Sequence, residues 1–155
     1  MVTHQLLIIA HAPSPNTLAM RAAVEAGARH DDINEVDVMV KAPLEAGPDD
    51  VLSANGVILG TPENLGYMSG ALKDFFDRCY YPLLEKTQGL PYTLYIRAGL
   101  DGTGTRRSVE SIATGLKWKA VQEPLLCHGE YKERFLDDCR ELGTLMAAGL
   151  EAGVF

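Results

Sequence analysis

Five short apolar runs, QLLIIA (5–10), VDVMV (36–40), GVILG (56–60), YTLYI (92–96) and VQEPLLC (121–127), alternate along the chain with segments of helical period. No other feature restricts the fold as strongly. A short continuous apolar run suits a strand covered on both faces, and a helix between successive strands returns the chain so that they lie parallel. The pattern predicts an α/β three-layer sandwich, a five-stranded parallel sheet with helices on both faces. The last run contains Glu123 and Pro124, which a central strand tolerates poorly, so it belongs at an edge.

The helical segments have one apolar face each. Leu72, Phe75, Phe76 and Cys79 stand at i, i+3, i+4 and i+7, with Lys73, Asp74, Asp77 and Arg78 turned away. Val109, Ile112, Ala113 and Leu116 form a second such face. Phe135, Cys139, Leu142 and Met146 form a third, in a helix expected from about 131 to 151. An Ala-rich helix is expected over 17–30 with Thr17 as its N-cap, and a short one over 49–54. Ser69 is placed to cap the helix that carries Leu72.

A length of 155 residues suits one domain, 1–155. The net charge of −7 argues against nucleic acid or an anionic membrane as a partner. No stretch is apolar for long enough to span a bilayer. The first ten residues have no basic leader and a short apolar core, so they are expected to form a strand rather than a signal peptide. Three cysteines without CxxC spacing suggest a reducing compartment, and hence a cytoplasmic location, with Cys79 and Cys139 as core thiols. The four histidines lack metal-ligand spacing, so no metal site is expected; His11 alone lies near the loops described next, and a structural role is favoured for it.

In a parallel sheet of this kind, ligands bind beyond the carboxyl ends of the strands. Three loops leave that end: 11–17, 61–70 and 97–105. The first, HAPSPNT, offers two hydroxyls (Ser14, Thr17), the Asn16 amide and the unpaired N–H groups of a helix start, a donor set that suits a phosphate. It equally suits a plain turn before a helix cap. The second, TPENLGYMSG, has two glycines for close backbone approach, Asn64 to bond a heterocycle edge and Tyr67 to stack on one. Glu63 is either a charged contact or a solvated loop residue. The third, AGLDGTGT, fits the edge of a ring or an ordinary Gly-rich helix entry. Neither GxGxxG nor GxxxxGK[ST] is present.

GTPENLGYMSGALKDFFDR (60–78), with APSPNT before it and AGLDGTG after it, closely resembles the flavodoxin-like FMN-binding proteins, in particular the NAD(P)H-dependent FMN reductase and quinone reductase family. The resemblance spans nearly the whole chain and implies a flavodoxin-like strand order of 2-1-3-4-5. It implies FMN as cofactor, with Ser14, Asn16 and Thr17 on its phosphate. Thr61, Pro62, Glu63, Asn64, Leu65, Gly66 and Tyr67 would hold the ring and ribityl chain, and Ala98, Gly99, Asp101 and Gly102 would close the other side. NAD(P)H as co-substrate, a small-molecule electron acceptor such as a quinone or free flavin, and a homodimer or homotetramer follow from the same resemblance. No residue is expected to act as an obligate acid or base. A flavodoxin-type electron carrier and a cofactor-free binding module are the alternatives on the same fold.

Overall fold

The computed structural model describes residues 3–155; the first two residues of the expected 1–155 span lie outside it. The chain runs β1 (His4–Ala10), α1 (Pro15–Ala28), β2 (Val36–Lys41), α2 (Pro48–Leu52), β3 (Gly56–Asn64), β4 (Tyr67–Met68), α3 (Gly70–Leu83), β5 (Pro91–Ala98), α4 (Thr103–Gly115), β6 (Lys119–Ala120), β7 (Leu125–His128) and α5 (Arg134–Ala152). The sheet order is β2-β1-β3-β5-β6, with β7 beside β5 on the same side as β6. The main strands are parallel, and β6 and β7 together fill the fifth position, so the expected order holds.

Residue alternation along the central strands feeds two cores. Leu6 and Ile8 pack with Met20 and Val24 of α1 and Cys139 and Met146 of α5. Leu7 and Ile9 face the other way, toward Leu72 and Phe75 of α3 and Val109 of α4. Each strand is therefore apolar on both faces, which is why it reads as an unbroken run. Helices α1 and α5 touch backbone to backbone: a side chain on Gly27 would overlap the Arg140 carbonyl, and one on Gly143 the Val24 carbonyl. Cys79 and Cys139 are buried, and burial pushes the Cys79 thiol up from its ordinary pKa.

The structure corrects several boundaries. The first helix begins at Pro15, with Ser14 as N-cap and Thr17 in its third position. Pro15 decides this: its fixed φ suits a first helical residue, and its missing N–H is one the helix does not use. The fifth strand is broken. Tyr92 pairs with Ala120 but Tyr95 pairs with Leu125, so the outer chain carries extra residues around Glu123 and Pro124. The last helix starts at Arg134, three residues later than expected. None of the described helices is long and apolar enough to cross a membrane.

Arg97, near the end of β5, clasps the broken edge. Its guanidinium donates to the carbonyls of Ala98 (2.7 Å), Cys127 (3.0 Å) and Gly129 (2.8 Å) and lies over the rings of Tyr131 and Phe135. The fork geometry does what a single ammonium cannot. Replacing Arg97 by Lys should lower unfolding stability by roughly 2 kcal/mol, read as a lower urea midpoint; an unchanged midpoint would show that the clasp contributes nothing.

Candidate functional site

Register brings the three loops to one edge. Ala10, the last residue of β1, pairs with Gly60, which pairs with Tyr95 on its other side; β3 and β5 run on past that level as Pro62 pairs with Arg97, and all three strands leave at the same edge of the sheet. The His11 N–H donates to the Gly60 carbonyl at 3.0 Å. A side chain on Gly60 would overlap the Tyr95 ring, which covers it. Burial raises the Tyr95 phenol well above its ordinary pKa, so it stays neutral.

In loop one, Ser14 and Thr17 form a closed capping box. The Ser14 N–H donates to Thr17 Oγ1 at 3.0 Å and the Thr17 N–H to Ser14 Oγ at 3.2 Å. The two hydroxyl oxygens are 2.8 Å apart, and Thr17 Oγ1 also bonds the Ser14 carbonyl at 3.1 Å. Thr17 is buried, Ser14 is half-buried, and Asn16 is exposed at the helix start. The loop's remaining group is His11, whose Nδ1 is buried without a hydrogen-bond partner. Burial lowers the pKa of this imidazole, which favours its neutral form.

Loop two is a hairpin rather than an irregular loop. Strand β3 continues through Pro62 to Asn64, turns at Leu65 and Gly66, and returns as β4, with Glu63 facing Met68 and Asn64 facing Tyr67. Both turn residues have positive φ, 54° and 73°, as a type I′ turn requires. Thr61 is buried and its hydroxyl is spent internally: it donates to the Pro62 carbonyl (2.8 Å) and accepts from the Ser69 N–H (3.0 Å). That bond ties the hairpin base to the start of α3, where Ser69 caps through Leu72 N at 3.2 Å as expected. Pro62 and Glu63 are half-buried; Asn64, Leu65, Gly66 and Tyr67 are exposed.

Loop three begins where Ala98 is buried and Gly99 is exposed. The Asp101 carboxylate accepts from Thr103 N–H at 3.0 Å, which holds its pKa below the usual carboxylate range. Gly102 is the N-cap of α4 with φ 72°. Thr105, in the first turn of α4, is fully buried and its Oγ1 has no partner. The hairpin leans on this turn, since a side chain on Gly104 would overlap the Gly66 carbonyl oxygen. All three predicted groups thus share one edge, but Thr61 faces inward and the hydroxyls of Ser14 and Thr17 face each other. The partnerless atoms of His11 and Thr105 mark the edge as well. Neither carries a sequence signal beyond lying in these loops, because their burial is a tertiary property.

The model of the NADPH-dependent FMN reductase family matches residues 17–129. The chain belongs to that family. The match takes in the hairpin and loop three and starts at Thr17, after most of loop one. A flavodoxin of Aquifex aeolicus is 32% identical over 112 residues, 72% of this chain; the matched stretch spans 60% of that protein's length. Among solved structures, an archaeal flavodoxin superposes with a TM-score of 0.80 at 18% identity, covering 95% of this chain and 99% of its own. A WrbA-like flavodoxin from Agrobacterium tumefaciens gives 0.72 at 17% identity, covering 97% and 98%. These likenesses establish the flavodoxin-like fold.

Leu65 is the least comfortable residue of the site. Its side chain is fully exposed, so nothing offsets the cost of a left-handed backbone on a γ-branched residue. Asparagine tolerates that conformation. Leu65→Asn should raise stability by about 0.5–1 kcal/mol in urea unfolding, and a loss of stability would show that the leucine makes a contact this geometry lacks.

Proposed function

We propose that this chain binds FMN at the three-loop edge and uses it to pass electrons from NAD(P)H to a small acceptor such as a quinone or free flavin. The convergence of the three loops on one sheet edge carries this reading. His11 Nδ1 is buried there without a partner, which suits a surface completed by a ligand. Family membership supports the cofactor.

The residues present fit FMN. The start of α1 offers the positive end of its dipole and the Asn16 amide to a phosphate. The capping box uses the oxygens of Ser14 and Thr17 for its two N–H···O bonds, and the hydroxyl protons are engaged between the two side chains and on the Ser14 carbonyl, so Asn16 and the helix-start amides are the donors left for a phosphate. The exposed edge of the hairpin at Asn64 and Tyr67 and the open backbone at Gly99 would border the ring. Thr61 would act indirectly, by holding the hairpin base. FMN held here would supply the hydride and electron-transfer chemistry. No aromatic stands in loop three, whose exposed apolar side chain is Leu100, and this leaves room for a second reactant beside the ring.

The likeness to the Aquifex flavodoxin favours a second reading, an electron carrier served by a separate reductase. One preparation separates the two. Chain loaded with FMN should oxidise NADPH or NADH when a quinone is added; a loaded chain inert to both, yet reduced by a partner reductase, would replace the enzyme reading with the carrier. Asn16→Asp sets a negative charge against the phosphate and should weaken FMN binding by at least about tenfold in a fluorescence titration. Unchanged affinity would remove loop one from the site.

A further inference from the structure

The hairpin and the first turn of α4 meet at a point where no side chain intervenes. Gly104 is the second residue of α4, and a methyl group on it would overlap the Gly66 carbonyl oxygen. The oxygen lies nearest, its carbon next and the Gly66 Cα farthest, so the C=O bond points at Gly104. The carbonyl is directed at a helix N-terminus, where unpaired amides and the dipole favour a partial negative charge.

Backbone conformation does not demand glycine here. Gly104 is not among the glycines with positive φ, unlike Gly66 and Gly102. Alanine is favoured over glycine within a helix by up to about 1 kcal/mol, so an unobstructed Gly104→Ala would stabilise α4. What the missing side chain serves is the contact. With a methyl present, the hairpin must retreat by roughly 1 Å to restore van der Waals separation.

We infer that Gly104 is a positioning residue. It seats the Gly66 carbonyl on the first turn of α4 and so fixes how the 63–68 hairpin stands relative to loop 99–102. The inference rests on the FMN reading of this edge, since the hairpin and loop three would border the ring from different elements. Loop two alone cannot set that spacing. The hairpin is anchored at its base by Thr61 and by the buried Met68, and its turn rests on α4 at Gly104.

The test compares wild type, Gly104→Ala and, as a control, Gly47→Ala, a substitution at the start of α2 where nothing lies near the added methyl. Each is titrated with FMN by fluorescence quenching, the absorption spectrum of bound FMN is recorded, and amide exchange at Tyr67 and Met68 is followed without FMN. Gly104→Ala should weaken FMN binding by about tenfold, shift the bound flavin's absorption and speed exchange at both amides, because the hairpin must move off the added methyl. Gly47→Ala should bind FMN as wild type does. Wild-type affinity, spectrum and exchange in Gly104→Ala would overturn the inference, as would a fall in unfolding midpoint without faster exchange at the hairpin. If wild type fails to bind FMN, the functional reading falls; the exchange comparison still decides whether Gly104 seats the hairpin.

Discussion

The pairing of Gly60 with Ala10 on one side and Tyr95 on the other is the constraint on which the candidate site depends. It sets the parallel register of three strands that leave at one edge, with β1 ending at this level and β3 and β5 running a few residues further. Gly60 meets two further demands. Its carbonyl receives the His11 N–H as the chain leaves β1, and the space a side chain would fill is taken by the Tyr95 ring. A larger residue at position 60 would push that ring away and disturb β1, β3 and β5 together. Because parallel register propagates along a ladder, one small residue at its end governs where the loops start.

Around that point the loops are built by local hydrogen bonds rather than by long-range ion pairs. Ser14 and Thr17 close loop one, Thr61 closes the hairpin base and Asp101 closes loop three. The salt bridges of the described residues lie elsewhere, mostly between neighbours on exposed helix faces, where such pairs contribute little. The outer edge follows the same logic. Arg97 donates to the carbonyls of Ala98, Cys127 and Gly129 beside the broken fifth strand and rests on two aromatic rings. The result is a set of short loops shaped from within, with the Asn16 and Asn64 amides exposed. Such an edge suits a ligand recognised through hydrogen bonds and flat contact more than one held by charge.

Much of this was legible in the residues, and the exceptions have physical causes. The central strands are buried on both faces and must be apolar throughout, so their runs and the alternation of all five runs with helices mark the fold directly. Glu123 and Pro124 marked an edge strand, but not that the strand would break there, because a break depends on what the neighbouring strand and Arg97 can satisfy. Ser14 and Thr17 are both good caps, and only the preference of Pro15 for the first helical position selects Ser14. The hairpin escaped because its turn places Leu65 in a conformation that leucine avoids, so no turn signal of the Asn-Gly kind announced it. The inward direction of the Thr61 hydroxyl and the burial of His11 and Thr105 arise only when β3, α3 and α4 come together. The residue types of the site were readable; which of them face a ligand was not.

The central claim is that residues of these three loops jointly bind one FMN molecule. The most direct measurement is an amide NMR titration of the chain with FMN. The account predicts shifts concentrated at residues 11–18, 61–68 and 99–105, saturating together as one binding event, with the opposite edge of the sheet unmoved. Shifts confined to one loop, shifts at the opposite edge, or no saturable change would contradict it.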